Sequence, residues 1–289
     1  NKFLGLQTLR RGIELSRNLM TIRLAYDVGM KKIVPYAVRF GVYDSLTPWL
    51  SNSIGAADTT LMRLTTGYAE FVNGGKKITP TLIDRIQDRN GLDIYRHDAR
   101  NCVGCNGPWH GQAEPLLPDT REQIIDPRTA YQIVSLLQGV VERGTGVAVR
   151  AVGKPLAGKT GTTNDSKDTW FIGFSPDLVC GVFVGFDNPR TLGKLEQGAT
   201  AAAPIFRDFM EGALADQPPT PFRVPPGIDL VPIDPRTGAL LGSNVPGSIE
   251  EAFKSGTEPG LANADVTEAA KPADNKPGTT VDAGTGGLY

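Results

Sequence analysis

The 289 residues contain no apolar run of about eighteen residues, the length a helix needs to cross a bilayer, so no helical membrane span is expected within them. They begin with neither a signal peptide nor an initiator methionine. Asn1-Lys2-Phe3 leads straight into a helical pattern, as expected for part of a longer protein. Charge of one sign is missing too: Lys and Arg number 30 against 31 Asp and Glu, a formal net charge of -1, and no basic block marks a nucleic-acid partner. Cysteines number only three and histidines two. What is there, 40% hydrophobic and 21% charged residues, fits a globular chain of one or two domains. No internal repeat is visible, and no cofactor is expected.

Leu4, Leu6, Leu9, Ile13 and Leu15 define a helix face that ends at Glu14. A second apolar pattern restarts at Leu19 and runs through Ile22, Leu24 and Ala25 to about Gly29. Ser16-Arg17-Asn18 therefore falls at a helix–helix junction, where Ser and Asn commonly act as N-caps because their side chains accept from free N–H groups. Residues 31–40 form a third helix closed by Gly41, and Asp58 is expected to cap another over 59–72, stopped by Asn73-Gly74-Gly75. Residues 81–87 and 92–95 read as a hairpin around Asp88-Arg89-Asn90-Gly91. Regularity lapses from His97 to Pro118. Asp126-Pro127 then starts a helix, with Asp as cap and Pro at the first helical position. Arg143-Gly144-Thr145-Gly146 is a loop, residues 147–152 a short strand, and residues 199–214 a last helix. Beyond Gln217 the composition shifts to Pro, Gly, Ala, Asp and Thr, and disorder is expected from about Ser255. Helices with an antiparallel sheet make the fold class α+β.

The centre of the chain is Gly158-Lys159-Thr160-Gly161-Thr162-Thr163. Behind it, residues 170–174 and 178–186 are apolar and aromatic runs joined by Ser175-Pro176-Asp177, an antiparallel hairpin. Gly153 to Thr160 matches the phosphate-loop pattern G-x-x-x-x-G-K-[ST], but such a loop must open a helix whose N-terminus holds the anion. Here turn and strand formers follow, and the Ser175-Pro176-Asp177 turn is too short for a parallel crossover. The competing pattern is a lysine on a strand edge beside a serine. Lys159 then offers a positive charge to a substrate carboxylate, and Gly161 lets another backbone approach closely. Thr160 and Thr162 offer hydroxyls, with the Thr162 N–H available to an oxyanion. A solvated lysine in a Gly/Thr turn is the plain alternative, and a lone K-T-G needs a partner to displace it.

Ser16-x-Asn18 is that partner. With Lys159-Thr160-Gly161-Thr162 it matches the second and third signatures of the penicillin-interacting serine enzymes. Residues 9–18, Arg143-Gly144-Thr145-Gly146, residues 157–163 and residues 168–176 narrow the match, and the chain resembles class A penicillin-binding proteins of the 1A type from about Lys2 to Pro226. The resemblance implies a penicillin-binding/β-lactamase-like transpeptidase fold over 1–226, with an insertion around 96–118 and an extension over 227–289. It also implies peptidoglycan cross-linking. A serine attacks the D-Ala-D-Ala bond of a donor stem peptide, D-Ala leaves, and the amine of a neighbouring stem takes the acyl group, while β-lactams mimic the donor. By motif, Ser16 would pass the leaving-group proton, Asn18 would hydrogen-bond the substrate amide, and Lys159 would stay charged beside Ser16. Thr160 and Thr162 would bind the terminal carboxylate, on a substrate strand that includes Gly161 and Thr163. The implied setting is the periplasmic face of a bacterial inner membrane, with stem peptides, a lipid-linked precursor and β-lactams as ligands and no metal.

The first signature, S-x-x-K, which carries the nucleophile and its base, occurs nowhere in the sequence: Ser16 precedes Arg-Asn-Leu, Ser135 Leu-Leu-Gln and Ser166 Lys-Asp-Thr. The resemblance implies that it lies before Asn1, together with a glycosyltransferase domain and a membrane anchor. β-Lactamases and D,D-carboxypeptidases would share the chemistry but release the acyl group to water; the 96–118 insertion and the Trp170 hairpin favour cross-linking. A non-catalytic peptidoglycan-binding domain need not keep a proton shuttle. In the implied periplasm disulfides persist, and Cys102 and Cys105 are expected to form one. His97 and His110 flank the pair and leave zinc as the alternative, although finger-type sites place their histidines together on a helix. Cys180, in an apolar strand, is expected to be a buried small hydrophobe.

Overall fold

The computed structural model describes residues 5–100, 102, 105, 107–108, 110–113, 117–242 and 245–259. Three short helices open the chain, α1 (Leu9–Glu14), α2 (Asn18–Val28) and α3 (Met30–Arg39), followed by α4 (Leu61–Val72). A small hairpin, β1 (Arg85–Gln87) and β2 (Asp93–Arg96), precedes the long helix α5 (Pro127–Arg143). Its turn is held by Asp88, whose carboxylate accepts from the N–H groups of Asn90 and Leu92, at 2.8 and 2.9 Å.

An antiparallel sheet of β3 (Ala157–Thr162), β4 (Thr169–Phe174) and β5 (Val179–Val184) forms the centre, with β3 on one edge. Alternation along β4 divides its side chains between two cores. Phe171 packs on one face with Phe206 and Met210 of α6 (Ala203–Ala213). Phe174 packs on the other with Val134, Leu137 and Val140 of α5. These α5 residues recur every three positions, which gives the helix one apolar stripe toward the sheet. Asp126 caps α5 by accepting from the Arg128 N–H at 2.8 Å, as its sequence signature predicts.

Four local expectations need correction. Residues 147–152 form a 3₁₀ turn rather than a strand. Their alternation has no partner strand to satisfy, and Val149 and Val152, three residues apart, instead share a face toward the α6 core. The cap of α4 is Thr60, whose hydroxyl accepts from the Arg63 N–H, and not Asp58. The last helix begins with a π turn at Gly198–Ala202 before α6. Cys180 is half-buried rather than fully buried; it packs against the α6 core, and burial pushes its thiol pKa up.

The sequence between 227 and 254 suggested no regular element, yet it forms the hairpin β6 (Ile228–Ile233) and β7 (Ile249–Lys254). Beside its buried Ile228, Ile233 and Ala252, polar long-range bonds hold it to the rest of the fold. Arg10 of α1, only 3% exposed, forms a two-pronged pair with Glu251 of β7 and also donates to the Ser135 carbonyl and hydroxyl, at 2.9 and 2.8 Å. Gln132 of α5 donates to the Ala252 carbonyl at 2.9 Å. The hairpin thereby clamps α1 onto α5. The expectation of disorder from about 255 falls mainly on residues outside those described. Among the described residues no helix is long and apolar enough to cross a membrane.

Candidate active site

The site is assembled from two distant stretches, the turn between α1 and α2 and the edge strand β3. The α1 terminus has the hydrogen bonds of a Schellman ending: Ser16 N–H donates to the Ile13 carbonyl at 3.1 Å, and Arg17 N–H to the Gly12 carbonyl at 2.8 Å. Ser16 occupies the left-handed position of that ending, with φ of 52°, where glycine is the usual residue. A serine there costs about 1–2 kcal/mol of backbone strain, so its side chain needs another reason. The residue capping α2 is Arg17, without a side-chain cap bond. The N-cap explanation of Ser16 and Asn18 is therefore wrong, because the first helix ends there in a tight reversal before the second begins.

Lys159 supplies the other reason. Its ammonium donates to Ser16 Oγ at 2.7 Å and to the Thr160 carbonyl at 3.0 Å, joining residues 143 positions apart. Lys159 lies opposite Ile172 in the β3–β4 ladder, on the sheet face that carries Ala157 and Phe174. Part of its surroundings is apolar, and burial lowers its pKa from 10.5 to about 8. With that pKa the lysine is charged at neutral pH, but it is not the solvated strand-edge lysine of the plain alternative.

The two threonines of the strand point to the opposite face and are each held by one partner. Thr160 Oγ1 lies 2.7 Å from Thr145 Oγ1, in the loop that follows α5. Thr162 Oγ1 accepts from the Gly198 N–H at 3.0 Å. Gly198 has to be glycine at this approach: a Cβ there would stand 2.5 Å from the Gly161 carbonyl and 2.6 Å from that of Trp170. Thr163 is not brought into this group. Its hydroxyl accepts from the Asp168 N–H at 2.8 Å and closes the turn between β3 and β4. Asn18 is the first residue of α2, exposed, and its side chain makes no hydrogen bond among the described residues.

Two supporting groups had no role assigned from the sequence. Thr145 appeared there within Arg143-Gly144-Thr145-Gly146, a loop that helped carry the resemblance but gave its hydroxyl no task. Glu14, completely buried, accepts from Arg143 at 2.8 Å and has Arg10 and Arg11 at 3.7 and 3.8 Å. Arg10 and Arg11 stand one turn before Glu14 on α1 itself, whereas the Arg143 pair depends on α1 meeting α5, which no spacing within one helix reveals. Elsewhere, Cys102 and Cys105 are joined in a disulfide, with Cα atoms 5.5 Å apart. The apolar groove bounded by Tyr36, Phe40, Leu64, Tyr68, Phe71 and Ile133, about 340 Å³, is a separate feature. Burial pushes the Tyr68 phenol up to about 12, and no carboxylate, amine, imidazole or thiol is among the groove's lining residues.

Residues 2–211 match the penicillin binding protein transpeptidase domain. The chain is 48% identical over 256 residues to Penicillin-binding protein 1A of Rickettsia bellii, covering 88% of this chain and 32% of that protein. It is 38% identical to Penicillin-binding protein 1A of Pseudomonas aeruginosa, covering 91% of this chain and 36% of the relative. The crystal structure of Penicillin-Binding Protein 1A from Haemophilus influenzae superposes with a TM-score of 0.74 at 32% identity, covering 88% of this chain and 41% of that one. The chain thus spans about a third of the length of these curated relatives. On the matched domain, the identity and the shared fold together, the chain belongs to the penicillin-binding protein transpeptidase family.

Proposed function

We propose that this chain forms part of a serine D-Ala-D-Ala transpeptidase that cross-links peptidoglycan and is acylated by β-lactams. The observation that carries the proposal is the 2.7 Å contact from Lys159 to Ser16, made by residues of two signatures 143 positions apart. In this reading the nucleophile and its general base come from an S-x-x-K segment outside the 289 residues, and Ser16 and Lys159 complete the proton path. Ser16 Oγ, already accepting from the ammonium, can release its own proton to a departing amine and be resupplied from Lys159. The low pKa of Lys159 makes that return less costly than it would be for a solvated lysine. Asn18, with its amide free, would hydrogen-bond the substrate backbone. The Thr160 and Thr162 hydroxyls would take the terminal carboxylate, and β3, an edge strand of its sheet, would lie along the donor peptide.

The whole protein would work at the periplasmic face of a bacterial inner membrane, held by an anchor and joined to a glycosyltransferase domain that polymerises lipid-linked precursor. The disulfide of Cys102 and Cys105 is compatible with an oxidising compartment. Labelling by fluorescent penicillin tests the reading. The full-length protein should be labelled, and Lys159→Ala should slow acylation by about 10²-fold or more with the fold retained. The 289-residue chain by itself, with no S-x-x-K, should stay unlabelled. Undiminished labelling of Lys159→Ala would remove Lys159 from the site.

A further inference from the structure

Thr145 sits where two halves of the site meet, and nothing in its role as a loop residue requires a hydroxyl. Its N–H donates to the Glu14 carbonyl at 3.0 Å, two residues before Ser16. Its Oγ1 lies 2.7 Å from Thr160 Oγ1. The loop is pressed onto α1: a Cβ at Gly144 would collide with the Glu14 carbonyl, and Arg143 pairs with the Glu14 carboxylate at 2.8 Å. With the contact from Lys159 to Ser16, these bonds close a ring that runs from Glu14 through Thr145, Thr160 and Lys159 to Ser16. Thr145 is the only member of that ring outside α1, the turn that follows it and β3.

We infer that Thr145 is a positioning residue for the carboxylate-binding hydroxyl of Thr160, an inference that rests on the transpeptidase reading above. A hydroxyl has one proton to donate and two lone pairs. An anionic carboxylate only accepts, so Thr160 can serve it only while its own proton is free. In the Thr145–Thr160 pair, one hydroxyl donates to the other. When Thr145 donates, Thr160 Oγ1 is satisfied as an acceptor and its proton turns outward to the ligand. Thr162 is arranged alike, since its oxygen accepts from the Gly198 N–H, which leaves its proton outward. Both hydroxyls of the strand are then donors by construction, one fixed by a backbone N–H and the other by Thr145.

The test is carried out on the full-length protein, by comparing acylation rates of a penicillin carrying a free carboxylate with those of its methyl ester. Thr145→Val keeps the shape and removes the hydroxyl. It should slow acylation by the carboxylate form about threefold to tenfold, because Thr160 loses the neutral donor that satisfies its oxygen and keeps its proton outward, and leave the slower ester reaction within about twofold. Thr145→Ser should restore the carboxylate rate. If Thr145→Val does not fold, the same ratio of carboxylate to ester rates read on Thr145→Ala decides. An unchanged ratio, whether both rates hold or both fall together, overturns the inference and leaves a loop that supports the fold alone. Absence of acylation of the unmodified protein by either compound is a different failure, since it overturns the transpeptidase reading itself.

Discussion

Ser16 combines an unfavourable backbone with a functional side chain, and substituting it in two ways separates those contributions. Ser16→Ala keeps a Cβ in the left-handed position and removes the hydroxyl. The strain of about 1–2 kcal/mol stays, and the Lys159 ammonium loses an acceptor worth about 1–2 kcal/mol. Ser16→Gly loses the same acceptor but relieves the strain. Part of that relief is offset by the greater freedom of glycine in the unfolded chain, about 0.5–1 kcal/mol. The glycine variant should therefore unfold about 1 kcal/mol less readily than the alanine variant. Both should lose penicillin acylation by about 10²-fold, because neither can carry the proton. Urea unfolding of the full-length protein, following the transition that abolishes penicillin labelling in the wild type, gives the first quantity, and labelling kinetics give the second. If alanine proves as stable as glycine, Ser16 does not hold the left-handed position. If the glycine variant is acylated at the wild-type rate, the hydroxyl is no part of the proton path.

The parts of the fold that were legible are those encoded by local rules. The α5 stripe of Val134, Leu137 and Val140, its Asp126-Pro127 start and the Trp170 hairpin follow from periodicity and cap chemistry, and they appear as expected. Residues 147–152 misled because their alternation is real but has no neighbouring strand to pair with; tertiary packing of Val149 and Val152 decided the outcome. The β6–β7 hairpin lacked a clear signal because part of what ties it down is Arg10 reaching Glu251, 241 positions away, and one charged pair leaves no periodic trace. At the site, the residue types of two motifs were enough to nominate Ser16 and Lys159. They could not reveal that Ser16 ends a helix rather than starting one, since the Schellman position normally announces itself with glycine. Nor could they reveal the lowered lysine pKa, which burial within the folded sheet creates.

Two further predictions concern charge. Arg10→Met leaves Glu251 partly exposed but strips four hydrogen bonds from the α1–α5–β7 junction, and should cost about 3 kcal/mol. Adding Glu251→Met to it should cost little more, so a double-mutant cycle in urea should give a coupling of about 1–3 kcal/mol, and strict additivity would deny the clamp. The other concerns pH. Lys159 titrates near 8 in the folded protein and at its ordinary 10.5 once unfolded. Between those values the unfolded chain binds more protons than the folded one, so stability from this group rises with pH across that window. Below about 8 both states are protonated and the cost of the desolvated ammonium is fully present. Lys159→Met should accordingly stabilise the fold at pH 7, by about 2 kcal/mol after allowing for the partial exposure of the amine. The advantage should shrink steadily as pH rises from 8 through 10.5, above which wild type has shed the charge in both states. Unfolding curves of the two proteins at pH 7, 8.5 and 10 measure this directly. A difference that does not change with pH would mean that the Lys159 ammonium is as well solvated in the folded protein as in the unfolded chain, and that its return of a proton to Ser16 receives no help from burial.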